Sequence, residues 1–557
     1  MTEVFRLADS YVDELFALDP FAATANGIPG HDDEVTDYSP DGVDARADLA
    51  RKTLRALDGT AVEGDPDRIA AAVMRDRLTS GLDMYDVGAP WRQLAAFDCP
   101  ITFTRSAFDL CPRETDDDWE RIATRMLRVS ESLAGFTRTL QYGLANGHRA
   151  ARRQALVCAD QTATLGGLMS AEAPYFARLA VEKPQPAALA ARLHDGAQAA
   201  TEAYATLSRF LREDYAAQAA EADAVGPELH ALGVRRSLGM NADPLEMYAW
   251  GWDELHRLEA EMAVTAERIE PGAGLDAAMA VLRDDPARSL DGLDNLLAFL
   301  QEVTDRAIAD LDGTHFDIPK QIHRVECRAA PPGTAAAMYY TPPSADFSRP
   351  GRTWYPAKGK TRFPLWNEVS TAYHEGVPGH HLQVGLCLTF QERLSSFQRY
   401  LGFYSGHGEG WALYSERLME ELGYLDNPDY LLGMLSAQAF RAMRVIVDIG
   451  LHLQLAIPET EAYCPGRTWD YETALPFVTR YCGFAGPGVA QSEFDRYCGW
   501  PAQAISYKIG ERVWLDIRAR LRSRLGSAFD MKRFHMEALN LGSLPLDLLE
   551  QELLGSN

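Results

Sequence analysis

A mainly α-helical fold in two lobes, with one short β element, is what this chain predicts, on three observations. From Thr2 to about Leu311 apolar residues recur at three- and four-residue spacings, with Ala, Arg, Leu and Glu between them, the pattern of successive amphipathic helices. Between Phe316 and Pro364 prolines exclude long helices. Helical spacing resumes at Asn367. The change at Phe316 divides the 557 residues into a helical lobe, 1–315, and a second lobe, 316–557, either as separate cores or as one integrated two-lobed domain.

In the first lobe the clearest helices are Trp119 to Tyr142, Ala187 to Ala217 and Pro244 to Glu267. The breaks at Lys183-Pro184-Gln185-Pro186, Glu270-Pro271-Gly272 and Leu311-Asp312-Gly313-Thr314 are too short for flexible interdomain linkers. The next stretch carries Pro319, Pro331, Pro332, Pro342, Pro343, Pro350, Pro356 and Pro364, and within it Met338 to Thr341 and Thr353 to Tyr355 have the aromatic and β-branched content of short strands. A strand edge there offers unpaired backbone groups to an extended peptide. Helices follow at Asn367 to Val377, Leu382 to Tyr400, Glu409 to Leu422 (stopped by Gly423) and Pro428 to Leu455, the last with Asp426-Asn427 as cap candidates and Pro428 in the first turn.

Eighty acidic residues against 54 basic give a formal net charge of −26, which argues against a nucleic-acid or anionic-membrane partner. The N-terminus, MTEVFRLADSYVDELFALDP, has no basic n-region, apolar core or cleavage site, and no apolar run is long enough to span a membrane. The eight cysteines are scattered without a C-x-x-C pair, as suits reduced thiols, and argue against a cysteine-ligated zinc. A cytoplasmic protein acting on small substrates is the expectation.

The segment Tyr373-His374-Glu375-Gly376-Val377-Pro378-Gly379-His380-His381 reads as an interrupted zinc-hydrolase motif. In H-E-x-x-H the histidines lie four residues apart on one helical face and reach one ion. Here the fourth position is Pro378, and the next histidines fall six and seven residues after His374, out of reach along an unbroken helix. Pro378-Gly379 supplies a break: proline removes a helical hydrogen bond and glycine permits left-handed angles, so a distorted turn can swing His380 back toward His374. Five of the thirteen histidines (374, 380, 381, 407 and 452) fall between His374 and His452.

Glu409 is the candidate third ligand, 35 residues after His374, far enough for a helix to run out and another to return. Glu416, seven residues on and on the same face, is placed to orient a ligand histidine. Glu375 is then the general base acting on water activated by the metal. A polar stripe of Arg441, Arg444, Asp448 and His452 marks an otherwise apolar helix, either as a structural network or as a site in which the arginines bind a substrate carboxylate and His452 steadies a tetrahedral intermediate. Tyr507 is the candidate oxyanion donor, with Lys508 beside it as a second substrate-binding cation. Gly406-His407-Gly408-Glu409-Gly410 is glycine-rich but does not match a nucleotide loop, and no G-x-S-x-G elbow is present.

With its motifs His374-Glu375-x-x-Pro378-Gly379-His380-His381-Leu382-Gln383, Gly408-Glu409-Gly410-Trp411-Ala412-Leu413-Tyr414, Arg441-x-x-Arg444-x-x-x-Asp448-x-Gly450-x-His452 and Gln503-Ala504-x-Ser506-Tyr507-Lys508-Ile509-Gly510, the chain resembles the bacterial family catalogued as domain of unknown function 885. Asp19-Pro20-Phe21-Ala22-Ala23-Thr24 and Tyr340-Thr341-Pro342-Pro343 extend the resemblance to nearly the whole length. The family is similar to helical zincins of the carboxypeptidase and angiotensin-converting-enzyme type, which implies a two-lobed metallohydrolase with a deep cleft. It singles out His380 over His381 as the second ligand. Ala502 departs from the family, which usually has glycine there, as does the lack of an export signal that many relatives carry.

The function expected is a zinc-dependent hydrolase of amide bonds in short peptides or peptide-like metabolites. His374, His380 and Glu409 bind zinc, Glu375, His452 and Tyr507 are catalytic, and Arg441, Arg444 and Lys508 bind substrate. Alternatives are a metal-dependent tailoring enzyme for a small non-peptide metabolite, or a non-catalytic helical binding protein.

Overall fold

Each long amphipathic helix of this chain buries its apolar stripe against another helix, and the few strands are short. The computed structural model describes residues 1–169, 172–330, 338–344, 346–357, 359–390, 392–482 and 488–555. The chain is mainly α-helical and forms two compact units, Met1–Leu232 with Gln491–Pro501, and Gly233–Ala490 with Ala502–Asn557. The change of character at Phe316 lies inside the second unit.

In the first unit the helix Asp116–Ala145 begins at a capping box between Thr115 and Asp118. It buries Trp119, Ile122, Met126, Val129, Leu133 and Phe136 in one apolar core. The helix Ala187–Arg209 packs against it so closely that a Cβ on Gly196 would stand 2.9 Å from Met126 Cβ. Its expected extension to Ala217 continues as a π-helical turn, Phe210–Tyr215.

In the second unit Pro244–Ile269 packs on Pro428–His452, with a Cβ on Gly251 set to meet Val445 and Ile446 at 3.2 Å. The helix Ser405–Glu421 crosses Ser506–Leu525 at a glycine contact. A Cβ on Gly410 would lie 2.4 Å from the Gly510 carbonyl carbon, and one on Gly510 would lie 2.0 Å from Gly406 O. The glycine-rich stretch around Glu409 thus serves helix packing.

Tyr339–Thr341 and Gly351–Tyr355 match the expected strands and join Val325–Ala329, which was not expected, in a three-stranded sheet. Gly351–Tyr355 is central, parallel to Val325–Ala329 and antiparallel to Tyr339–Thr341, which forms one edge. A separate antiparallel pair joins Ser289–Asp291 to Arg362–Pro364. Pro331 and Pro332 lie outside the described residues.

The expected helix Leu382 to Tyr400 is two helices, His380–Thr389 and Ser396–Tyr400, with Gln391 outside the described residues. The second starts anew because Ser395 and Gln398 form their own capping box. The helices Glu368–Glu375, Ser405–Glu421 and Pro428–His452 lie close to their expected spans.

Candidate metal centre

His374 stands at the end of the helix Glu368–Glu375, which stops at Gly376, and His380 opens the next helix. The chain reverses between them: Gly379 N–H donates to Tyr373 O and His381 N–H to Gly376 O, both at 3.0 Å. The Val377–Pro378 peptide is cis. Gly379 does not use a left-handed conformation as expected, its φ being −73°. Space is what demands glycine there, because a Cβ would fall 1.9 Å from His374 O and 2.4 Å from Tyr373 O. Trp411 holds the turn from the other side, its indole N–H donating to Pro378 O at 2.8 Å.

The turn brings the two imidazoles edge to face, with ring centroids 4.9 Å apart. Glu409, in the second turn of Ser405–Glu421, completes the group: its Oε2 is 3.5 Å from His374 Nε2 and 3.3 Å from His380 Nε2. One donor atom from each of the three residues lies within 4.8 Å of the others. His381 points elsewhere, sharing hydrogen bonds with Tyr340 Oη (3.1 Å) and Ile322 O (2.8 Å). Burial pushes its pKa down to about 4, so it is a neutral structural histidine.

Glu416 takes the orienting position expected of it. Its Oε1 is 2.8 Å from His374 Nδ1, which leaves Nε2 to face Glu409 and His380, and its Oε2 accepts from Ser370 Oγ at 2.6 Å. Ser370 escaped notice in the sequence, although it lies one turn before His374 on the same helical face. Burial opposes the charge on Glu416, but Arg441, His374 and Ser370 together hold its pKa below the ordinary carboxylate range. Replacing Glu416 by Gln is expected to weaken zinc binding by about 10- to 100-fold, the usual cost of a lost supporting carboxylate. Titration with a competing zinc chelator measures this; unchanged affinity would show that Glu416 supports only the fold.

Burial disfavours a charged His374, yet hydrogen bonds to Glu409 and Glu416 outweigh it and raise its pKa to about 9. The same imidazoles hold Glu409 far below the carboxylate range despite its burial. Two nitrogens and a carboxylate oxygen converging in a site that favours positive charge match the His₂Glu donor set of catalytic zinc. The group therefore fits zinc.

Around it, Glu375 is buried and its pKa is raised by that burial, against the pull of His374 and His380. The Arg444 guanidinium lies over the rings of Phe440 at 4.2 Å and Tyr507 at 4.7 Å, and Arg441 lies 5.9 Å from the Tyr507 ring. Arg441 also faces Glu416, at 3.9 Å. Eleven residues, about 16 Å of helix, separate His452 from Arg441, so the helix does not present both to one small ligand. Lys508 is held away from the role expected of it. Its ammonium is buried and spent on Glu511, one helical turn on, and on Glu254 (2.7 Å) and Gln438 (2.6 Å), the last two too distant in sequence to be anticipated.

Asp448 joins the polar stripe to the Tyr507 segment, its carboxylate accepting from Ala502 N–H at 3.0 and 3.2 Å. Ala502, where the family resemblance has glycine, sits at φ 64°. A left-handed alanine costs about 1–2 kcal/mol, and glycine returns part of the relief as unfolded-chain entropy. Ala502→Gly is therefore expected to stabilise the chain by about 0.5–1 kcal/mol, read as a raised midpoint in thermal unfolding. An unchanged or lower midpoint would mean that the Ala502 methyl contributes packing that offsets the strain.

The profile of the family described as bacterial protein of unknown function (DUF885) matches residues 20–553. The chain belongs to the DUF885 family. This DUF885 protein is similar in structure to a lipoprotein candidate from Colwellia psychrerythraea, with TM-score 0.83 and 22% identity over 99% of this chain and 98% of that one. It is also similar to a lipoprotein candidate of unknown function from Shewanella oneidensis, with TM-score 0.74 and 18% identity over the full length of both chains. At such identities the likeness concerns the fold. No curated protein matches the sequence. Among the described residues, no helix is long and apolar enough to cross a membrane.

Proposed function

We propose that this DUF885 protein is a zinc-dependent hydrolase of the helical zincin kind, cleaving amide bonds of short peptides or peptide-like metabolites in the cytoplasm. The observation that carries this reading is the convergence of His374, His380 and Glu409 donor atoms within 4.8 Å, next to a buried Glu375 that is not one of the three. His374, His380 and Glu409 would hold the ion, with Glu416 keeping His374 in register. Zinc in such a site supplies Lewis acidity and acidifies water.

The chain's own residues account for the proton movements. Glu375 accepts a proton from the attacking water at its carboxylate and returns it to the leaving amine, a task suited to a carboxylate whose pKa burial has raised. The Tyr507 hydroxyl donates to the developing oxyanion, with the neighbouring Arg441 and Arg444 favouring negative charge there.

The test joins metal analysis to substrate screening. Inductively coupled plasma mass spectrometry should find about one zinc per chain after reconstitution, and the loaded protein should hydrolyse members of a dipeptide library. Turnover confined to a non-peptide amide would replace the peptidase reading with a tailoring enzyme. Failure to retain metal would reject hydrolysis in favour of a binding protein.

A further inference from the structure

We propose that Arg441 holds a free carboxylate of the substrate, so that the bond cut lies one or two residues from a carboxyl terminus. This deepens the hydrolase reading and rests on it. Of the three substrate-binding cations expected from the sequence, two are committed. Lys508 is spent on Glu254, Glu511 and Gln438. Arg444 is buried with its guanidinium against the rings of Phe440 and Tyr507.

Arg441 differs. Its side chain is only 14% exposed, and its Nε is buried without a hydrogen-bond partner among the described residues. The carboxylate it faces, Glu416, is 3.9 Å away, beyond hydrogen-bond range, and is already bonded to His374 and Ser370. A buried N–H without an acceptor is costly, and the planar guanidinium fork that carries it matches a carboxylate. The neighbouring Glu416 and Glu375 favour a monoanion over a dianionic phosphate, because each added negative charge meets theirs.

Position supports the same ligand. Arg441 is two contacts from His374, through Glu416 at 3.9 and 2.8 Å, a separation that one or two peptide residues of roughly 3.5 Å each would span. The Tyr507 ring lies 5.9 Å from the Arg441 guanidinium, so the proposed oxyanion donor and the fork are neighbours.

The experiment measures binding of tri-alanine and of its C-terminal amide to the zinc-loaded Glu375→Gln protein by isothermal titration calorimetry. The free acid should bind about 10- to 100-fold more tightly than the amide. Adding Arg441→Ala should abolish that preference while zinc content and circular dichroism stay unchanged, and Arg441→Lys should keep only part of it. Equal binding of acid and amide with Arg441 intact, no binding of the acid at millimolar concentration, or a preference that survives Arg441→Ala would each overturn the proposal. Should Arg441→Ala fail to fold, the acid-to-amide ratio with Arg441 intact and with Lys in its place decides. Lack of turnover by the wild-type chain would reject the hydrolase reading without altering this binding preference, so the two failures are distinguishable.

Discussion

Glu375→Gln is expected to lower kcat by about 10²- to 10⁴-fold, the usual worth of a general base, while zinc stays at about one per chain. The substitution preserves shape in a site where Glu375 is only 8% exposed, so a fall in rate reports lost chemistry more than lost packing. It should also spare the metal, because the converging donors come from His374, His380 and Glu409. Steady-state kinetics on the best dipeptide, paired with metal analysis of the same preparation, measures both. A variant that keeps more than about a tenth of the rate would remove Glu375 from the mechanism, since the smallest expected effect is about a hundredfold.

His380→Ala and His381→Ala should behave oppositely. Loss of His380 removes one of three donors, and zinc affinity should fall by more than about 100-fold, beyond the cost of losing a supporting group. Loss of His381 should leave zinc bound but destabilise the fold, because Tyr340 Oη and Ile322 O lose a buried partner, at about 1–3 kcal/mol for each group left unsatisfied. Chelator competition and thermal unfolding on both variants separate these effects. Zinc loss in His381→Ala, with retention in His380→Ala, would reverse the ligand assignment.

Much of the candidate centre was legible because helix periodicity is local. Seven residues bring Glu409 and Glu416 to one face, and a proline-glycine pair where the motif's second histidine would stand announces a bend. The purpose of Gly379 was misread for a local reason too: glycine signals either an unusual angle or a lack of room, and only the neighbouring carbonyl oxygens distinguish them. The burial of Lys508 was missed because its partner Glu254 is 254 residues away in sequence, although Glu511, one helical turn on, was visible. Trp411 as the clamp on the Pro378 turn was invisible for the same reason.

By itself the sequence determined the mainly helical class, most long-helix spans, the family, and the three residues whose donor atoms converge. These follow from side-chain periodicity, caps and ordered motifs, all of which act over a few residues. Only the tertiary structure decided that the chain forms two units with Gln491–Pro501 returning to the first, that His381 belongs to the sheet edge through Tyr340, and that the buried Nε of Arg441 has no hydrogen-bond partner among the described residues while Lys508 is paired. Those outcomes depend on which distant segments share the same few ångströms, where burial makes each unmet hydrogen bond and each unpaired charge costly.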